Sequence, residues 1–226
     1  MYEKYLKRIM DFTLSLLAVV ALSPVLLVLT VVGAAKMKGN PFFVQPRPGK
    51  DERIFNLIKF RSMTCETDAA GNPLPDDQRL TRYGKFLRAS SLDELPELFN
   101  ILKGDMSIVG PRPQLVRDMV FMTPQQRRRH SVMPGLTGLA QVNGRNNISW
   151  EQKFEYDLEY IDGGITFWKD VKIILQTVGK VCGQEDVVRE GTASDLDLGD
   201  YLLEKGEIDP ASFDEKQEEA RELLKV

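Results

Sequence analysis

Histidine and cysteine are nearly missing from this chain of 226 residues. The single histidine, His130, excludes His-rich metal sites and any mechanism built on a histidine pair, and it reads as structural. Two cysteines, Cys65 and Cys182, make no disulfide framework and no cysteine metal site. That scarcity favours a reducing compartment. No G-x-x-x-x-G-K-[ST] occurs, which disfavours a P-loop kinase.

Charge is also missing over one long stretch, between Asp11 and Lys36. Phe12 to Ala35 is apolar and long enough to cross a bilayer. It is too long for the apolar core of a cleaved signal peptide, although Gly33-Ala34-Ala35 resembles a cleavage site. Two features complicate simple spanning. Ser23-Pro24 sits mid-run, where proline bends a helix and serine can bond the freed backbone. Both flanks are basic, Lys4, Lys7 and Arg8 before and Lys36 and Lys38 after, so the positive-inside rule gives no orientation. The residues alone leave a spanning helix and a re-entrant hairpin both open.

The net charge of -3 hides an asymmetry: residues 1–184 carry +6 and the tail from Glu185 carries -9. A basic body suits anionic lipid or phosphorylated small molecules. No nucleic-acid partner is expected. Asp195-Leu196-Asp197 in the acidic tail reads as a chance D-x-D pattern. Asp209 to Val226 suits one amphipathic helix.

Within the body, Phe42–Gln45 and Ile54–Phe60 read as strands, with Pro46–Gly49 as a turn. The second strand delivers Lys59 and Arg61 at its end. Arg79, Arg82, Lys85 and Arg88 recur every three residues and share a helical face. Trp150–Tyr160 and Ile165–Cys182 read as helices. The latter is either ordinary core or an interfacial helix on lipid, given its tryptophan and lysines. Arg127-Arg128-Arg129 is a candidate headgroup patch or a solvated helix end.

The organising stretch is Ser90 to Asn100. Leu95, Leu98, Phe99 and Leu102 form one apolar helical face, ended by Gly104. Ser91 and Glu94 have capping-box spacing, but that register places Pro96 too deep in the helix. Asp93 as N-cap puts Pro96 in the first turn, and that register is preferred. It sets Asp93 and Glu94 at the positive end of a helix dipole, where phosphate also binds. Further on, Arg112 stands between Pro111 and Pro113, which stiffen its turn. Gly135, Gly138 and Gly144 allow close backbone approach to a ligand, and Arg145 is a candidate phosphate contact.

Several motifs in fixed order carry a resemblance: Lys59-Phe60-Arg61-Ser62-Met63, Ser91 to Asn100, Lys103 to Ser107, Gly110-Pro111-Arg112-Pro113 and Pro134 to Arg145. Over roughly residues 1–182 the chain resembles the monotopic phosphoglycosyl transferases, the bacterial sugar transferase family, and most nearly its small members. The resemblance implies transfer of a sugar 1-phosphate from a UDP-sugar to a polyprenol (undecaprenyl) phosphate, with release of UMP. It implies a magnesium-dependent Asp93–Glu94 dyad, with Asp93 forming a covalent phosphosugar intermediate. Asp93 and Glu94 are then the Mg²⁺ ligands, and Lys59, Arg88, Arg112 and Arg145 the phosphate clamps. It also implies a re-entrant N-terminal helix broken at Ser23-Pro24, with the site on the cytoplasmic face of the bacterial inner membrane.

The expected architecture is α/β, rich in helix with short strands. A re-entrant helix–break–helix spans 1–38, a membrane-associated catalytic domain with interfacial helices spans 39–184, and an acidic tail spans 185–226. Two rivals stand beside this reading. A non-catalytic scaffold of the same fold is opposed by the intact dyad and Arg112. A secreted protein with a cleaved leader would lack nucleotide sugars. Neither the sugar nor the oligomeric state is legible.

Overall fold

The computed structural model of the chain describes residues 2–68, 70–72, 74–144, 148–183 and 196–225. A π-helical turn over Tyr2–Leu6 leads into α1, Lys7–Met37. β1 (Phe42–Pro48) and β2 (Ile54–Phe60) pair antiparallel, with Phe42 opposite Phe60 and Pro48 opposite Ile54. β1 therefore runs three residues past the expected Gln45, because a two-stranded ribbon has edges that tolerate Pro46 and Pro48. Short α2 (Asp76–Arg79) and α3 (Arg82–Ala89) follow. The Thr81 hydroxyl caps α3 by accepting from the Gly84 N–H at 2.9 Å. After a 3-10 turn at Leu92–Glu94 come α4 (Glu97–Lys103) and β3 (Ser107–Val109). Then α5 (Val116–Met119) and α6 (Pro124–Arg127) precede β4 (Gly135–Thr137) and α7 (Leu139–Val142). α8 (Trp150–Asp162) and α9 (Phe167–Gly183) complete the body. α10 (Leu198–Glu204) and α11 (Pro210–Leu223) lie in the C-terminal segment. The whole is rich in helix with short strands, as the sequence predicts.

β3 and β4 pair in parallel, Ser107 with Gly135 and Val109 with Thr137. Neither strand is legible in the sequence, since three residues carry no periodicity. Their glycines meet backbone rather than a ligand. A Cβ on Gly135 would stand 2.1 Å from the Gly110 nitrogen, and one on Gly138 would stand 2.2 Å from the Gly110 oxygen. At Gly144, φ is +143° and the neighbour is Ile148. Close approach is required at these positions, and in the structure it is chain against chain.

α1 passes through Pro24 without interruption, so the expected helix–break–helix is one helix. Pro24 has no N–H for the Val20 carbonyl four residues back. The Ser23 hydroxyl donates to that carbonyl at 2.8 Å and restores the lost partner. Along α1 the buried positions Lys7, Asp11, Ser15, Leu26, Leu29, Gly33 and Met37 share one face. Arg8 donates to the Ile101 and Leu102 carbonyls at 2.6 and 2.9 Å, capping the end of α4. Asp11 accepts from the Ser107 hydroxyl and the Ile108 N–H at 2.7 and 3.1 Å. At the other end Leu26 and Leu29 pack with Phe60 and Leu87. There the Tyr83 hydroxyl also donates to the Leu29 carbonyl at 2.8 Å. The opposite face, with Leu17, Val20, Leu27, Val28 and Val31, is exposed.

The tail is not a loose appendage over its described part. Leu198 and Ala220 are buried with Val120, Phe121, Met122, Trp150 and Phe154. Asp209 caps α11 by accepting from the Ala211 and Ser212 N–H groups. The triple arginine is divided among three acids, Arg127 with Glu52, Arg128 with Asp162 and buried Arg129 with Asp157. α9 turns Asp170 and Ile173 inward and leaves Trp168, Leu175 and Val178 exposed, which departs from ordinary core packing.

Asp170 gathers three donors: the Lys7 ammonium at 2.6 Å, the Tyr2 hydroxyl at 2.7 Å and the Tyr160 hydroxyl at 2.7 Å. It is 1% exposed. Removing one partner of a buried ion pair leaves the other charge uncompensated. Asp170→Ala is therefore expected to destabilise the fold by about 3–5 kcal/mol, read as a fall in thermal unfolding temperature in detergent. A surface-like change under about 0.5 kcal/mol would contradict it.

Candidate active site

β2 carries Lys59 to the floor of a cavity of about 1390 Å³. What fixes the end of β2 is Asn100 on α4. Its Oδ1 accepts from the Ile58 N–H at 3.0 Å, and its Nδ2 donates to the Asn56 carbonyl at 2.7 Å. The buried amide thus satisfies both polar groups of a strand edge. The Lys59 ammonium then sits 3.0 Å from Glu94 and 3.1 Å from Glu97.

Asp93 is not the N-cap that the sequence suggests. It lies in the middle of the 3-10 turn, whose first flank, Ser91, has φ 54°. α4 begins only after Pro96, which stands at its N-cap position. Neither Ser91 nor Asp93 makes a side-chain cap, because the extra turn ahead of Pro96 satisfies the backbone instead: Glu94 N–H reaches Ser91 and Leu95 N–H reaches Leu92.

The side chain of Glu94 points to cations. Its Oε1 takes both Lys59 and Arg112. Arg112 stands between Pro111 and Pro113 in the loop after β3, and its backbone carbonyl accepts from Arg129 Nη2 at 2.7 Å. Arg129 is itself locked by Asp157, with contacts of 2.6 and 2.9 Å and both residues 2% exposed. Arg112 is thus held at its backbone by Arg129 and at its guanidinium by Glu94. Burial alone would push the Glu94 carboxyl up, but Arg112 and Lys59 outweigh it and hold the group well below the ordinary range. Arg112 in turn is held more firmly protonated by Glu94.

Asp93 has the opposite environment. Its carboxylate accepts no hydrogen bond among the described residues. Burial and then the negative charge of Glu94 push its carboxyl up to about 6, against the pull of Lys59, Arg112 and Arg88. Two adjacent carboxylates are thereby pushed apart, one pinned as an anion and one poised near neutrality, a pattern found where acid, base or nucleophile roles are divided.

Of the residues expected at a site, Lys59, Arg88, Asp93, Glu94 and Arg112 line this one cavity. Arg88 donates from Nε to the Ser62 hydroxyl at 3.1 Å. Arg145 lies outside the described residues. The wall also includes Arg61, Arg117, Gln141 and Asp157. Of these, Gln141 was visible only as a motif member, and Asp157 carried no signal, since a lone acid on a helix reads as solvated. No set of three His, Cys, Asp or Glu side chains encloses a metal among the described residues. Asp93 and the second oxygen of Glu94 make a donor set of one or two carboxylates. That set suits Mg²⁺ shared with substrate phosphates rather than caged by protein.

A cavity with a carboxylate that accepts no hydrogen bond among the described residues, a cation-clamped neighbour and several arginines defines a class, an enzyme acting on phosphorylated substrates beside an apolar helix. The family comparison narrows it. The bacterial sugar transferase family matches residues 2–184, and the chain belongs to that family. It is 48% identical over 182 residues to the uncharacterized sugar transferase EpsL of Bacillus subtilis (strain 168), covering 80% of this chain and 90% of that one. It is 42% identical over 184 residues to a UDP-glucose:undecaprenyl-phosphate glucose-1-phosphate transferase of Klebsiella pneumoniae, covering 77% of this chain and 39% of that one. A protein of the same description from Xanthomonas campestris pv. campestris is 40% identical over 190 residues, with 79% and 39% covered. The chain thus spans most of EpsL but about two-fifths of the other two.

The charge arrangement makes a prediction that needs no substrate. Asp93 is expected to titrate near pH 6, and Glu94→Gln should move it lower. The substitution removes the neighbouring anion and leaves Lys59 and Arg112 to favour the ionised form. Carboxyl-carbon NMR of the two proteins across pH 4–8 checks this. An unmoved or raised value would contradict it.

Proposed function

We propose that this protein transfers a sugar 1-phosphate from a UDP-sugar to undecaprenyl phosphate, with Asp93 as the nucleophile. The observation that carries the reading is the unbonded Asp93 carboxylate beside a Glu94 that Lys59 and Arg112 hold ionised. Ionised Asp93 attacks the β-phosphorus of the donor. A carboxylate–phosphorus bond forms, the β-phosphorus–oxygen bond to the nucleotide breaks, and UMP departs with that oxygen. An oxygen of the lipid phosphate then attacks the same phosphorus and returns Asp93 to its free form. The product is an undecaprenyl diphosphate sugar. The printed functions of the Klebsiella and Xanthomonas relatives support this reaction class.

A diphosphate repels an attacking anion, so its charge must be neutralised. Arg112 and Lys59, with Arg88 on the same wall, do this from the protein side. Arg145 remains a further clamp by family resemblance alone. Mg²⁺, held by Asp93 and Glu94, would add charge neutralisation on the diphosphate. Glu94 keeps the two cations facing Asp93 rather than dispersed.

The test of Asp93 is covalent. Wild type given UDP-sugar without lipid acceptor should gain the mass of a phosphosugar. Asp93→Asn should fold normally, gain no mass and lose turnover by at least about a thousandfold. Near-normal turnover in Asp93→Asn would overturn the assignment.

The membrane reading follows from α1. Its apolar outer face is long enough for a bilayer, yet both its ends are fastened to one body. Lys7, Arg8 and Asp11 bind α9, α4 and β3, and Leu26 and Leu29 bind the core under Phe60. A spanning helix would separate those ends by the bilayer. A helix lying along the cytoplasmic leaflet, with both ends on the side of the body, keeps them together. Exposed Trp168, Leu175 and Val178 extend the apolar surface on α9. Exposed Cys65 reports the body's side in a Cys182→Ser protein. Glu3→Cys, with both native cysteines replaced, reports the N-terminus. A membrane-impermeant thiol reagent on intact cells should label neither until the membrane is opened. Labelling at position 3 alone would establish a spanning helix.

A further inference from the structure

The family match ends at residue 184, but the wall of the Asp93 cavity does not. Leu196 and Asp197, from the C-terminal segment, line it beside Gln114, Arg117 and Trp150. These two residues are held firmly. The Trp150 indole N–H donates to the Leu196 carbonyl at 3.1 Å, and the Leu198 N–H donates to buried Asp118 at 2.9 Å. Behind them, Leu198 and Ala220 are buried against Phe121 and Phe154. Lys216 also donates to the Val120 carbonyl at 2.7 Å. A contact so anchored is no chance brush of a tail against the surface. The Asp197 carboxylate pairs with the Arg117 guanidinium, whose side chain is 53% exposed.

We infer that Asp197 and Arg117 form a subsite for vicinal hydroxyls of the donor, a specificity-determining pair contributed by this chain's own C-terminal segment. The inference rests on the proposed nucleotide-sugar donor. The chemistry is a division of labour. An ionised carboxylate only accepts hydrogen bonds and a guanidinium only donates them. A diol offers both, one hydroxyl donating to Asp197 while its neighbour accepts from Arg117. The same carboxylate repels a diphosphate, so this wall suits the uncharged polyhydroxyl part of the donor. The phosphates belong with Lys59, Arg88 and Arg112. At about 1390 Å³ the cavity exceeds the usual range for one small ligand, which leaves room for a nucleotide sugar reaching from one wall to the other. Hydroxyl pairs occur on the ribose and on the transferred sugar, and these two sources are separable.

The experiment compares full-length wild type with Asp197→Ala, Asp197→Asn and Arg117→Gln. It measures UMP release across a panel of UDP-sugars and, separately, UMP binding. Asp197→Ala should raise KM for the preferred donor by about tenfold, the loss of one charge-assisted hydrogen bond, with kcat changed by less than about twofold. Asp197→Asn keeps an acceptor oxygen and should recover part of that loss. Weaker UMP binding places the diol on the ribose. Unchanged UMP binding with an altered ranking of sugars places it on the transferred sugar. Should Asp197→Ala unfold, Arg117→Gln carries the same expectation from a half-exposed side chain that packs no core. An unchanged KM and sugar ranking in the folded variants overturns the subsite. So does a fall in kcat alone with a lowered unfolding temperature, the mark of a structural role. A wild type that releases UMP from no UDP-sugar, while folded and in lipid, instead overturns the donor reading beneath it.

Discussion

Everything in the site depends on one cluster of opposed charges in which Glu94 is the common partner. Lys59 comes from β2, Glu94 from the 3-10 turn, Glu97 from α4 and Arg112 from the proline-flanked loop after β3. Three stretches of the chain, around Lys59, Glu94–Glu97 and Arg112, are joined by charges that are all partly or wholly withdrawn from water. Such a cluster is costly to assemble and costly to break. It therefore fixes geometry more than it adds stability. Asp93 is the acid of the group that joins no ion pair among the described residues, and burial followed by the charge of Glu94 raises its carboxyl range.

A second set of charges, two of them buried, does the same for α1. An apolar helix with a smooth polar-free face could dock in many rotations. Lys7 on Asp170, Arg8 on the α4 carbonyls and Asp11 on β3 allow only one. From sequence Lys7 and Arg8 were counted with the basic flanks of the apolar run. In the structure Lys7 and Arg8 face protein, so they report little about orientation through the positive-inside rule. Lys4, which lies over the ring of Tyr5, and Lys36 and Lys38 at the other flank are exposed and retain a surface character.

The sequence showed the long helices and β2 because apolar periodicity over seven or more residues is a strong signal. It showed Asp93, Glu94, Lys59, Arg88 and Arg112 as a set only through several motifs taken together. It hid β3 and β4, each three residues long, and it hid the start of α4, where a 3-10 turn replaced a side-chain cap. It also hid partnerships. Arg127, Arg128 and Arg129 form a run in sequence, yet successive residues of a helical turn point in different directions and met three separate acids. Asp197 looked like noise in an acidic tail, because no local pattern records that Trp150 and Asp118 hold its neighbours.

The parallel pairing of β3 and β4 has a consequence for how the site keeps its dimensions. Where Gly110 meets Gly135 and Gly138, no side chain intervenes. The gap between the loop bearing Arg112 and the wall bearing Gln141 is set by the thickness of two peptide groups. Cores drift in spacing as their side chains are exchanged over time, since each methylene displaces its neighbours. A contact made of backbone alone has nothing to exchange. It acts as a fixed spacer, so the interior around it can be rewritten while the mouth of the cavity stays the same width.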